Sequence, residues 1–125
     1  MNQITLEYIY KVQEEIINST SGLHGVRDSN LLESSINNIY QTFDSVELYP
    51  TILDKAASLC YSLIQYHAFN DGNKRLGINI LQVYLHLNGY KLFVTDEELI
   101  DLGLGIASSK YDKEYIKSWI IKHKI

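Results

Sequence analysis

The stretch His67-Ala68-Phe69-Asn70-Asp71-Gly72-Asn73-Lys74-Arg75 gathers within nine residues the groups needed to handle a phosphate. His67 can take up a proton near neutral pH. Asp71 offers a hard pair of oxygens of the sort Mg²⁺ accepts when it is shared with substrate phosphates. Gly72 lets the backbone approach an anion closely. Apolar residues resume directly afterwards, so a helix opens at Gly72 or Asn73, with its first-turn amides unpaired and the positive end of its macrodipole behind them. An anion is the natural guest at such a helix start. Lys74 and Arg75 place two cations where positive charge is locally unfavourable, which calls for a compensating anion, and phosphate fits. Asn79, one turn beyond Arg75 in an apolar stretch, either faces the same place or hydrogen-bonds a neighbouring helix. Each residue also has an ordinary reading on its own: Asp71-Gly72 is a common turn, and a histidine at a helix end is often a cap. Phe69 reads as a core plug that anchors the loop.

The elements around this loop are helical. Ile9, Val12 and Ile16 recur at helical spacing, which predicts a first helix over about 5–18, ended by the Ser-Thr-Ser-Gly run at 19–22. A second helix starts near Asp28 or Ser29, either of which can cap it, and continues through Leu31, Leu32 and Ile36. Residues 40–50 mix aromatics and β-branched residues with turn formers and suit a hairpin or flap. From Thr51 to about Tyr66 the apolar face is wider than one stripe, which marks a helix buried on much of its circumference. The run from Leu76 to Leu87 is nearly apolar all round, the strongest candidate for a central helix, and Asn88-Gly89 closes it. Lys91–Val94 suits a short strand. Thr95-Asp96-Glu97-Glu98 is a capping box that opens a helix to about Ser108, in which Gly103 and Gly105 admit a close neighbour. A last helix over 112–123 carries Tyr115, Ile116, Trp119 and Ile120 on one side. The expectation is an all-α bundle of about six helices with a short β-hairpin flap, in a single domain spanning 1–125.

Composition narrows the classes of function. Eleven Lys+Arg against fifteen Asp+Glu leave a net charge of −4, which argues against a protein that neutralises phosphates along a duplex. Apolar residues make up 46% and charged residues 21%, so the chain should form its own core. One cysteine, Cys60, cannot form an internal disulfide and lies in an apolar run, as a small buried hydrophobe would. No basic-then-apolar leader and no membrane-spanning window is evident, so the expectation is a cytoplasmic protein that binds neither nucleic acid nor membrane directly. Ten tyrosines suit boundary positions, with an apolar ring inside and a polar tip outside. His24, His86 and His123 show no metal-ligand spacing and read as surface or capping residues.

The loop resembles the signature of the Fic/Doc family, His-x-Phe-x-Asp/Glu-Gly-Asn-Gly/Lys-Arg, at His67, Phe69, Asp71, Gly72, Asn73, Lys74 and Arg75. The resemblance extends to Leu23-His24-Gly25-Val26-Arg27-Asp28 and Leu31-Leu32-Glu33-Ser34 upstream. Downstream, Leu87-Asn88-Gly89-Tyr90 and Leu99–Ala107 look like the death-on-curing (Doc) branch. Most adenylyl-transferring members have glycine where this chain has Lys74, and a second arginine where it has Ile78. Doc-type members carry the lysine and lack that arginine.

The resemblance implies a toxin of a toxin–antitoxin pair that uses ATP and Mg²⁺ and moves the γ-phosphate to a Thr or Ser hydroxyl, with elongation factor Tu as the implied target. The alternatives are AMP transfer of the Fic type, and a catalytically silent module that holds a partner. By the same resemblance His67 is the general base and Asp71 holds Mg²⁺, while the Gly72 and Asn73 amides steady the phosphates with Lys74 and Arg75. Asn79 lines the site. Residues 42–50 would be the flap that presents the target by strand addition. Ser29-Asn30-Leu31-Leu32-Glu33-Ser34 departs at its last position from the self-inhibitory string of Fic proteins, so control would come from another chain, and the resemblance implies an antitoxin whose C-terminal segment folds on binding.

Overall fold

A computed structural model describes residues 3–20, 22, 25–67, 69 and 72–125. Within them the chain forms α1 (Leu6–Thr20), α2 (Ser29–Asn37), a 3₁₀ turn (Asn38–Tyr40), a hairpin of β1 (Thr42–Phe43) and β2 (Val46–Glu47), α3 (Ile52–Gln65), α4 (Asn73–Leu87), α5 (Asp96–Ala107) and α6 (Lys113–His123). The helical bundle with a small hairpin agrees with the sequence. Asp28, not Ser29, caps α2, its Oδ1 accepting from the amides of Asn30 and Leu31 at 3.0 and 3.2 Å. Thr95 and Glu98 form the expected capping box on α5.

The expected central helix is corrected. α3, not α4, lies at the centre and packs against α2, α4, α5, α6 and the 3₁₀ turn. Its residues from Lys55 to Cys60 and from Ser62 to Ile64 are all buried. The reason is size: Ala56, Ala57, Ser58, Cys60 and Ser62 let neighbours close on it from several sides. α4 instead leaves Lys74, Arg75, Asn79 and His86 in solvent. The two helices are in tight contact at Gly77, where an added Cβ would stand 2.4 Å from Ile64 Cγ1 and 3.2 Å from the Cys60 carbonyl oxygen. Gly105 admits the ring of Tyr111 in the same way. Cys60 is a buried hydrophobe, its thiol pKa pushed up by burial.

Three further expectations need adjustment. The segment 91–94 is no strand: Leu92 makes an isolated bridge to Lys124, and the Phe93 amide donates to the His123 carbonyl at 2.8 Å. Tyr115 lies outside the buried face formed by Ile116, Trp119 and Ile120, and stacks on Tyr111 with ring centroids 3.8 Å apart. His123 is more than a surface residue, because its Nε2 lies 2.6 Å from Glu98 Oε2 and clasps the start of α5 to the end of α6. Six of the ten tyrosines are half-buried, as boundary packing requires.

Tyr84 is fully buried, and its hydroxyl has no hydrogen-bond partner among the described residues. Burial pushes its pKa up to about 12, with Tyr40 adding to the shift. An orphaned buried hydroxyl costs roughly 1–3 kcal/mol. Tyr84→Phe is therefore expected to leave the melting temperature unchanged or raise it; a clear fall in thermal unfolding experiments would show that the hydroxyl is bonded in solution.

Among the described residues no helix is long and apolar enough to cross a membrane.

Candidate active site

The loop between α3 and α4 is held at both ends. α3 stops at its C-cap Tyr66, whose amide donates to the Ser62 carbonyl at 3.0 Å. The next residue, His67, is exposed and has φ +51°, in the left-handed region where histidine is among the more tolerated residues. Phe69 is buried, as expected of a plug, and meets Tyr10 edge-on with centroids 5.8 Å apart. Asn73 then closes the span: its Oδ1 accepts from the Phe69 amide at 3.2 Å and its Nδ2 donates to the Phe69 carbonyl at 3.0 Å. The Asn73 side chain thus has a structural task, which leaves its backbone amide for a ligand.

Gly72 takes φ +78° and stands at the N-cap of α4 without a side-chain cap. A Cβ there would also press on Ile17 Cδ1 at 3.2 Å and Gln13 Nε2 at 3.3 Å, so packing against α1 is a second reason for glycine. The Leu76 amide donates to the Gly72 carbonyl at 2.9 Å. The amides of Asn73, Lys74 and Arg75 precede it and have no helical carbonyl to reach.

On the outer face of the same helix start, Lys74, Arg75 and Asn79 line one cleft of about 330 Å³ with Ile78 and Gln82 of α4 and Leu99, Ile100, Gly103 and Leu104 of α5. Gly103 keeps this cleft narrow at its base, where a Cβ would lie 3.3 Å from Ile78 Cγ1. Among the described residues no carboxylate pairs with Lys74 or Arg75. The structure therefore brings Lys74, Arg75 and Asn79 together, sets Gly72 and Asn73 at the head of their helix, and leaves His67 in solvent at the other end of the loop. Asp71 and His24 lie outside the described residues. No group of three metal-ligating side chains occurs among the described residues.

Two residues escaped the sequence reading. Arg27 reaches across to the loop, its Nε donating to the His67 carbonyl at 2.7 Å and its Nη2 to the Tyr66 carbonyl at 3.0 Å. Lys55 is wholly buried, yet it donates to Glu47 Oε1 at 3.0 Å and to the Tyr49 carbonyl, tying the hairpin to α3. A lysine inside the apolar run of α3 was the available clue to the second. Lys55→Met is expected to speed amide hydrogen exchange at residues 42–47 while α3 stays protected; unchanged exchange would mean that the hairpin does not depend on this tie.

The fold and the site define a helical protein that offers an anion a helix start and two cations with no carboxylate partner among the described residues, at one edge of a largely apolar cleft. The chain belongs to the Fic/Doc family: residues 3–85 match the family model described as Fic/DOC family. It is 37% identical to Toxin Doc of Mycolicibacterium smegmatis over 87 residues, covering 66% of this chain and 67% of that protein. It is 28% identical over 110 residues to Protein kinase doc of Escherichia phage P1, covering 88% and 86% respectively.

Proposed function

We propose that this chain, acting as one domain over 1–125, is a Doc-like toxin of a toxin–antitoxin pair that transfers the γ-phosphate of ATP to a Thr or Ser hydroxyl, on elongation factor Tu. The carrying observation is the exposed head of α4, where Lys74 and Arg75 have no carboxylate partner among the described residues and share a cleft with Asn79. The names of the two relatives support the toxin and kinase readings.

In this reading His67 takes the proton from the attacking hydroxyl, a contribution typically of about 10²–10⁴-fold. The hydroxyl oxygen bonds to the γ-phosphorus as the bridging oxygen leaves with ADP. The amides of Asn73 to Arg75 bind phosphate oxygens, Lys74 and Arg75 offset their charge, and Asn79 orients the nucleotide; such positioning is most of what phosphoryl transfer needs. Asp71 would hold Mg²⁺, which supplies charge neutralisation between the phosphates. The hairpin suits the presentation of a target chain, because its strands are short and expose Phe43 (71%) and Val46 (66%). Silencing falls to an antitoxin whose C-terminal segment folds on binding, in the cytoplasm.

The test is the intact mass of elongation factor Tu after incubation with the protein, ATP and Mg²⁺. A phosphate-sized adduct is expected. An AMP-sized adduct would replace phosphoryl transfer by adenylyl transfer at the same site, and no adduct would overturn the target or the activity.

A further inference from the structure

Two consecutive residues far from the loop in sequence, Val26 and Arg27, grip it on both sides of His67. Val26 forms an isolated antiparallel bridge with Phe69, and Arg27 donates to the carbonyls of Tyr66 and His67. Asp28 then fixes this strap to the body of the protein as the N-cap of α2. The grip falls where the chain most needs it. α3 ends at Gln65 with Tyr66 as its C-cap, so carbonyls of its last turn lack helical partners and carry the negative end of the dipole. A guanidinium is permanently charged and presents its donors as a planar fork, which answers both needs at once. His67 meanwhile holds φ +51°, a conformation that persists in a non-glycine residue only when the surroundings impose it.

We infer that Arg27 is a positioning residue for His67: by holding the Tyr66 and His67 carbonyls it keeps the left-handed backbone turn that aims the imidazole at the acceptor hydroxyl. This rests on the reading of His67 as the proton acceptor. Arg27 is exposed, so its replacement removes no core packing. It does not line the cleft of Lys74, Arg75 and Asn79, so nucleotide binding does not depend on it.

The experiment compares Arg27→Ala, Arg27→Lys and His67→Asn in phosphoryl transfer from ATP to elongation factor Tu, together with the NMR ¹³Cα and ¹³Cβ shifts of His67. For Arg27→Ala, kcat is expected to fall by about 10- to 100-fold, the scale of a small misplacement of a reacting group, with KM for ATP unchanged. The His67 shifts should move from left-handed to random-coil values. Arg27→Lys, which keeps the charge and loses the fork, should fall between. Unchanged His67 shifts in Arg27→Ala, a loss carried by KM alone, or full kcat beside an inactive His67→Asn would each overturn the role of Arg27. Full activity of His67→Asn would instead overturn the base assignment, and the positioning role with it.

Discussion

His67→Asn is expected to lower the proposed phosphoryl transfer by about 10²–10⁴-fold and to abolish growth arrest, while the melting temperature stays within about 2 °C of the unsubstituted protein. Asparagine is the apt replacement because it is at home in the left-handed region that His67 occupies, so the backbone turn survives. The bonds that hold this residue use its carbonyl and not its ring, and they survive too. What is lost is the imidazole that, in the proposed reading, takes the proton from the attacking hydroxyl. Initial rates at saturating ATP, with circular dichroism as the control, check this. Transfer at an undiminished rate in a folded variant would remove His67 from the chemistry and leave the helix start as a binding site.

Gly77→Val is expected to be strongly damaging to the core. Even a Cβ overlaps Ile64 at 2.4 Å and crowds the Cys60 carbonyl oxygen at 3.2 Å, and the carbonyl belongs to the backbone of α3 and cannot rotate away. Valine adds two methyl groups to that overlap. Overpacking typically costs about 1–3 kcal/mol, and a backbone-limited case belongs at the upper end, partly offset by the gain in helix propensity over glycine. A fall in melting temperature on the order of 10 °C should follow, read by thermal denaturation. Gly103→Ala is the control: its Cβ would meet only the flexible Ile78 side chain at 3.3 Å, and the change should be close to neutral. Equal losses for the two would show that the α3–α4 contact is not closer than the α4–α5 contact.

The elements legible in the sequence were those whose determinants are local. Asp28, Thr95 with Glu98, and the glycine and cations at the head of α4 each act within four residues of where they stand. The capping box at Thr51 was overlooked because Asp54, in place of the usual glutamate or glutamine, returns the bond to the Thr51 amide. Apolar side-chain number points to α4 as the centre, whereas the centre of a bundle is set by how closely helices can approach, and the small residues of α3 decide that. The segment 91–94 has the residues of a strand, but its partner is the chain end at Lys124, which gives one bridge and no ladder. Of the candidate site, Lys74, Arg75 and Asn79 line one cleft. The role of Arg27 depends on long-range contacts, with carbonyls 39 and 40 residues away, and that of Lys55 on the way a flap six to eight residues back folds over it.

The Asn73 side chain bears on affinity as well as on shape. By pairing with both the amide and the carbonyl of Phe69 it imitates a strand partner and closes the span from 69 to 73 into a ring. The entropy lost in joining those ends is lost when the protein folds, so an arriving phosphate does not have to supply it. At the proposed phosphate site the Phe69–Asn73 bonds would therefore favour the guest through fit and charge, with less of the enthalpy–entropy compensation that accompanies ordering of these two residues on binding.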